Sequence, residues 1–303
     1  MEKKSLVTGS NGFIGSHLVE SLISEGNSVC CMIRRTSNLK WIKDLSVQCV
    51  YGDFCRPQTL HRAVRDVDEI YHVGGIVRAI DRERFYKINS LGTKYIVDAV
   101  KKYNPGLKRF VYVSSMAAGN AFGKSSVSDY GESKLKAEEH VRKLENYTIV
   151  RPAAVYGPRD MDFLPVFKFA LKGFFLMPST DGYLSFIHVK DCVRGIKQAE
   201  NKKEVFLTDG KRYTWEDVSN ILGEVAGKKI KCIKVPPGIL KLVGYLGDIM
   251  GRVKGKPFSV NSDKIKEMLA KDWCSDETSV NAHCDLKKGF SETLKWYREQ
   301  GLI

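Results

Sequence analysis

No apolar stretch of the 303-residue chain reaches the roughly 18 residues that a membrane-spanning helix needs, so no span is expected. The eight cysteines (30, 31, 49, 55, 192, 232, 274, 284) include no C-x-x-C pair. That argues against a dithiol redox motif or a ribbon-type zinc site, and reduced, buried thiols are the expectation. Cys274, His283 and Cys284 lack a fourth partner at suitable spacing, so no metal site is expected. Acidic residues are scarce beside basic ones: 35 Asp and Glu against 49 Lys and Arg, a formal charge of +14. Such a surplus attracts polyanions. The lysines are spread along the chain with no aromatic-interleaved block, however, which favours a solvated basic surface over nucleic-acid binding. Met1-Glu2-Lys3-Lys4 runs straight into an apolar strand and leaves no room for a signal peptide, so a cytoplasmic protein is expected.

What is present is organised around Leu6 to Leu18, LVTGSNGFIGSHL. A short apolar run ends at Thr8. Glycines follow at every third position (Gly9, Gly12, Gly15), with Ser10 and Asn11 between them, and an amphipathic run opens with Phe13 and Ile14. This reads as a strand, a tight turn and the first turn of a helix. The arrangement suits a dinucleotide. Gly9 allows the turn, Gly12 lets backbone N–H groups approach a pyrophosphate, and Gly15 lets helix and strand pack closely. The helix N-terminus adds about half a positive charge. The spacing is G-x-x-G-x-x-G rather than the commoner G-x-G-x-x-G.

Strands are predicted at 28–33, 47–51, 69–73, 109–113 and 147–150, with helices at about 13–25, 57–65, 83–103 and 129–144 between them. The alternation predicts an α/β fold: a Rossmann-type doubly wound parallel sheet with a smaller C-terminal α+β substrate lobe. Residues 1–157 are read as the dinucleotide domain, with 184–210 returning to it, and 158–303 as mainly the substrate lobe. The second strand ends in Arg34-Arg35-Thr36-Ser37, without the carboxylate that would accept hydrogen bonds from the ribose of NAD. Two cations suit a 2′-phosphate, so NADP(H) is expected, with NAD(H) as the alternative. In Gly52-Asp53-Phe54, Asp53 can accept from an adenine amino group. Val73-Gly74-Gly75 lets the backbone pass beside a flat ligand, and Asn89 lies on the following helix.

Tyr130 and Lys134, four apart, share one helix face downstream of a strand that ends in Ser114-Ser115. A tyrosine of pKa near 10 is about three units too weak as a base at neutral pH. An adjacent ammonium stabilises the phenolate and a nicotinamide cation adds to it, and the three-unit shift they must supply is worth about 4 kcal/mol. Ser115 can hydrogen-bond the reacting oxygen of a substrate.

These residues, with Asp53, His72, Asn89…Gly92-Thr93, Arg151-Pro152-Ala153-Ala154-Val155-Tyr156-Gly157-Pro158-Arg159-Asp160 and Phe186-Ile187-His188-Val189-Lys190-Asp191, resemble the extended short-chain dehydrogenase/reductases along nearly the whole chain. The pattern is most similar to dihydroflavonol-reductase-like and 3β-hydroxysteroid-dehydrogenase-like members. The resemblance implies hydride transfer at nicotinamide C4, with Tyr130 as general acid/base, Lys134 holding the ribose and tuning Tyr130, and Ser115 orienting the reacting oxygen. Ser114 joins the cofactor contacts, and Pro152, Ala153 and Val155 form a wall behind the nicotinamide. Met116, Arg159, Phe163 and His188 are the candidate substrate contacts, with a role in tying the two lobes together as the alternative for Arg159 and His188. Relatives often pair through helices of the cofactor domain, so a homodimer is expected.

Departures from the family pattern narrow the reaction. Met116-Ala117 stands where dehydratases carry proton-exchanging residues, and Leu184 stands where nucleotide-sugar epimerases carry a diphosphate-clamping arginine. Arg159, Lys168, Lys172 and Arg212 are the candidate substitutes for that clamp. The expectation is therefore an NADP(H)-dependent ketone/alcohol oxidoreductase with a small, hydrophobic substrate. The alternatives are an NAD-dependent nucleotide-sugar 4-epimerase and a non-catalytic dinucleotide-sensing or RNA-binding protein. Finally, Ile239, Leu242, Val243, Leu246, Ile249, Met250 and Val253 form a helical stripe bracketed by Lys241, Arg252, Lys254 and Lys256. A helix packed on the lobe's core is the expectation; peripheral contact with an anionic membrane or a lid over an apolar substrate are the alternatives.

Overall fold

The computed structural model describes residues 3–119, 123, 125–199, 203–275, 278 and 280–303. The first half alternates as expected: β1 (Lys4–Thr8), α1 (Phe13–Ser24), β2 (Ser28–Ile33), β3 (Gln48–Tyr51), α2 (His61–Val64), β4 (Glu69–His72), α3 (Arg82–Phe85), α4 (Gly92–Tyr103), β5 (Arg109–Val113), α5 (Asp129–Val141) and β6 (Tyr147–Pro152). The second half adds β7 (Ala154–Tyr156), α6 (Leu164–Leu171), β8 (Phe174–Pro178), β9 (Phe186–His188), α7 (Val189–Gln198), β10 (Lys203–Leu207) and α8 (Trp215–Ala226). It closes with β11 (Lys231–Val235), α9 (Pro237–Lys254), α10 (Ser262–Leu269) and α11 (Leu286–Glu299).

The central sheet runs β3-β2-β1-β4-β5-β6-β10, and every pairing is parallel. Strands buried on both faces read as continuous apolar runs, which is why Leu6, Val7, Phe110, Val111, Ile149 and Val150 are inaccessible to solvent. One face is covered by α1 and α7 through Leu18, Val19, Leu22, Cys192 and Ile196. The other is covered by α4 and α5 through Ile96, Val97, Val100, Ala137 and Val141. Chain order reverses between β1 and β4, which opens a crevice at their carboxyl ends, where an α/β sheet binds its ligand. The lobe has its own aromatic core of Tyr156, Phe167, Phe186, Phe290 and Tyr297, and a two-stranded parallel sheet, β8 with β11.

Three features differ from the sequence expectation. The helix expected over 83–103 contains a π-helical turn at Tyr86–Leu91, a geometry favoured where a side chain must be re-aimed. Helices α7 and α10, and strands β7, β8, β9 and β10, are absent from the sequence expectation. The apolar stripe of α9 was expected to pack on the lobe's core, but it faces outward: Leu242 is 57% exposed, Leu246 50% and Val253 81%. The buried side of α9 is its glycine side, Gly244, Gly247 and Gly251, together with Leu240. A Cβ on Gly247 would lie 2.0 Å from the Val260 carbonyl oxygen, so the helix has sunk its bare backbone, not its large side chains, into the neighbouring segment. No helix among the described residues is long and apolar enough to cross a membrane.

Candidate active site

The turn after β1 is built for close approach. Gly9 has φ +66°, and a Cβ there would meet Gly74 Cα at 2.7 Å, so β1 and β4 could not end so close together with any other residue. A Cβ on Gly15 would lie 2.1 Å from the Gly9 carbonyl oxygen. Gly12 caps α1 with no side-chain hydrogen bond, and the helix has no acidic residue in its first turn. The cradle is therefore bare backbone at a helix N-terminus, and it fits the pyrophosphate of a dinucleotide.

A buried chain of hydrogen bonds sets the wall opposite this turn. Thr93 Oγ1 donates to the Asn89 carbonyl (2.6 Å), so it must accept from His72 Nε2 at 2.8 Å. His72 Nδ1 is then left to accept from Thr8 Oγ1 (2.7 Å), which in turn accepts from the Gly74 N–H (3.1 Å). Each hydrogen is used once and only one tautomer fits. Burial, with Lys134 nearby, pushes His72 down to about 3, so it stays neutral and acts as a rigid spacer. Asn89, lifted inward by the π-turn, accepts from the Ile76 N–H (2.8 Å) and donates to the Ile76 carbonyl (3.0 Å) and to Ser133 Oγ (2.9 Å). It pins the Gly74–Ile76 loop to α5.

Helix α5 carries Tyr130 and Lys134. Gly131 lets it press against the turn that follows β5, because a Cβ there would lie 2.1 Å from the Ala117 carbonyl oxygen. Ser115 caps that turn by accepting from the Ala117 N–H at 3.1 Å. Its hydroxyl also meets the Tyr130 phenol in a hydrogen bond that favours the phenolate. Lys134 is buried, donates to the Val113 carbonyl (2.8 Å) and lies 4.7 Å from the centre of the Tyr112 ring. Burial pushes its ammonium down to about 8, against a smaller upward pull from Glu138. With no dinucleotide beside it, the phenol is not lowered. Burial, and then the charge of Glu267, hold Tyr130 above its ordinary value, and Lys134 is turned to the Val113 carbonyl.

The N-terminus of α5 is capped from the far end of the chain. Asp263 on α10 accepts from the Asp129 N–H (2.7 Å) and the Tyr130 N–H (3.0 Å). Ser128 Oγ accepts from the Gly131 N–H (3.0 Å) and donates to Glu267 (2.8 Å). Two carboxylates at a helix N-terminus are where the macrodipole favours negative charge. No sequence signal pointed to them. On the other lip, Arg78 clasps Asp162 and donates to Ser259 (3.3 Å), bridging the loop after β4 to the lobe beside exposed Val77 and Met161.

Residues 5–208 match the profile of the NAD dependent epimerase/dehydratase family. The chain belongs to this family. It is an NAD(P)-dependent oxidoreductase/epimerase of the extended short-chain dehydrogenase type. It is 32% identical to the ceramide reductase of Caulobacter vibrioides, over 98% of this chain and 95% of that protein. It is 26% identical to sterol demethylase protein B of Methylococcus capsulatus, over 99% of each. The crystal structure of gox2253 shares the fold, with a TM-score of 0.76 at 24% identity and full coverage of both chains.

Within this epimerase/dehydratase frame, several expected site residues are engaged elsewhere. Ser114 donates its hydroxyl to buried Glu138 (2.7 Å), which Arg151 grips with two bonds of 2.9 and 2.6 Å, and its backbone N–H donates to the Val150 carbonyl (2.8 Å). Arg159, expected at the substrate, turns back to α1: it donates to Ser16 (3.0 Å) and Glu20 (2.5 Å) and lies 4.9 Å from the centre of the Trp41 ring. His188 is inaccessible to solvent, pushed down to about 4 by burial, and caps α7 by accepting from the Lys190 N–H. Phe163 packs with Phe186 and Phe290 in the lobe's core, and Met116 is buried beneath its turn. Phe54 fills the hollows over Gly74 and Gly92 and stands edge-on to His72. Asp53 spends one oxygen on the Cys55 N–H (2.8 Å) and keeps the other. Arg34 and Arg35 are exposed at the end of β2, with no carboxylate partner among the described residues, and Arg35 lies over the Tyr51 ring. Val73 follows β4, Pro152 ends β6, Ala153 joins β6 to β7, and Val155 is the middle residue of β7.

Proposed function

We propose that the chain is an NADP(H)-dependent oxidoreductase that interconverts a ketone and a secondary alcohol on a hydrophobic, lipid-class substrate. What supports this reading most is that Ser115, just past β5, meets the Tyr130 phenol, while Lys134, one turn further along α5, reaches the Val113 carbonyl at the end of β5 and lies beside Gly75. A bound nicotinamide dinucleotide would supply or accept the hydride. Gly9, Gly12 and Gly15 would hold its pyrophosphate, and Arg34 and Arg35 a 2′-phosphate. Asn89 and Lys134 flank Gly75, where a Cβ would lie 3.0 Å from Asn89 Oδ1 and 3.5 Å from Lys134 Nζ, which suits a ribose. Ser115 would hold the substrate oxygen, and Tyr130 would move a proton to or from it.

What stands beside Ser115 supports reduction over dehydration. Met116 and Ala117 are buried and carry no exchangeable proton. The diphosphate clamp of an epimerase finds little support. Leu184 is tied through its backbone to Tyr213, and Arg159 is committed to Glu20. The ceramide and the sterol in the two relatives' names, and the apolar Val77 and Met161 at the cleft, support a lipid-class substrate. The test is NADPH oxidation with a panel of long-chain and polycyclic ketones. Turnover with at least one is expected, reduced at least about a hundredfold in Tyr130→Phe with an unchanged far-UV spectrum. Interconversion of UDP-sugars without net cofactor change, and no ketone turnover, would refute it.

A further inference from the structure

We infer that the outward face of α9 is a docking surface for an anionic lipid bilayer, on which the protein sits as a peripheral enzyme. Along α9, Leu242, Tyr245, Leu246, Ile249, Met250 and Val253 lie on one side and are all at least 40% exposed. Other large apolar side chains are exposed in the chain, but among the described residues on no other helix do six of them share one face. The helix does not need that face for its own packing, because its glycine side is already seated. Gly244 meets Ser262 and Ile265, and Gly247 meets the Val260 carbonyl.

Charge selects the occupant. At 100° per residue, Lys241 and Arg252 fall on one edge of the apolar face and Lys254 on the other, with Lys256 just beyond the left-handed Gly255 that ends the helix. None of these four has a carboxylate partner among the described residues, and all are exposed. The single acidic residue of α9, Asp248, lies away from the apolar face, is half-buried and accepts from the Ser262 N–H (3.3 Å). An apolar face with cations on both rims is the pattern of a helix lying in the plane of a membrane interface, its stems reaching up to lipid phosphates. A second copy of the chain would match the apolar face but would bring the two basic rims together. The helix also lacks the apolar length to span a bilayer, so it lies on the surface. This inference does not rest on the reductase reading, because binding is read without turnover.

The test is flotation of the full chain with phosphatidylcholine vesicles, with and without phosphatidylglycerol. Binding about tenfold or more tighter to the anionic vesicles is expected, and it should weaken as salt is raised. The double variant Leu246→Glu/Ile249→Glu alters two exposed side chains, so its thermal midpoint should match the wild type while vesicle binding falls about tenfold or more. A Tyr245→Trp variant should gain a blue-shifted emission component on anionic vesicles. No binding by the wild type would overturn the inference, as would equal binding by the double variant. So would a dimer in solution that the double variant converts to monomer without any vesicle binding, which would make a second copy the occupant.

Discussion

Lys134 gives a prediction that can be worked through in numbers. Its ammonium is buried, and its pKa is lowered from 10.5 to about 8 by burial. The unfolded chain therefore holds this proton up to about 10.5, while the folded protein releases it near 8. Between those values the unfolded state binds more protons, so stability rises with pH across that window. At roughly 1.4 kcal/mol per pKa unit the whole interval is worth about 3 kcal/mol, and about 2 kcal/mol of it is gained between pH 8 and pH 10. The assay is urea unfolding of the cofactor-free protein at pH 7, 8, 9 and 10, beside Lys134→Met. With a denaturant slope of about 3 kcal/mol per molar, the wild-type midpoint should rise by about 0.7 M relative to the variant between pH 8 and 10. Other groups titrate in both proteins and cancel in the comparison. Parallel profiles, or a wild type that loses ground to the variant as pH rises, would refute the claim that a charged, desolvated lysine sits at this place.

Three further perturbations test other parts of the site. Replacing Arg34 and Arg35 together with Ala should raise the KM for NADPH about tenfold or more and leave that for NADH nearly unchanged, since charge-assisted bonds to a phosphate are worth about 1.5–3 kcal/mol each; equal effects on both cofactors would count against a 2′-phosphate site. Glu267→Gln keeps an acceptor for Ser128 but removes the charge that helps hold Tyr130 up, so the acid limb of alcohol oxidation should move to lower pH; an unmoved limb would show that Glu267 does not act on the phenol. Gly131→Ala places a methyl 2.1 Å from the Ala117 carbonyl oxygen, which should destabilise the protein by about 1–3 kcal/mol and lower kcat, read by thermal melting and steady-state rates.

Six of the seven strands of the sheet were legible in the sequence because each is a short apolar run set between helical stretches; β10, which opens with Lys203-Glu204, was not. The three glycines of the first turn were legible because their spacing encodes approaches so close that a Cβ on them would lie 2.1 to 3.2 Å from neighbouring backbone. What escaped were pairings between distant residues. Arg159 stands in a motif next to the expected substrate path, yet its direction is decided by Glu20 and Trp41, which only the folded chain brings near. Ser114 belongs to Glu138 on the same grounds. The stripe of α9 was visible as a periodicity of 3.6. Periodicity reports two faces without saying which one is buried, and three glycines on the opposite side reversed the ordinary answer.

The carboxylates that hold the N-terminus of α5 have a practical consequence for engineering. Asp263 and Glu267 sit about 130 positions downstream of the groups they support, in the half of the chain that a designer would exchange to alter substrate preference. A chimera that grafts a foreign lobe after the last motif strand would keep every expected reacting group and still strand two backbone N–H donors at the start of the helix that presents them. Swaps should carry residues 262–267 along or supply an equivalent acid, and deletions from the C-terminus should impair turnover long before they reach any residue that touches the reacting atoms.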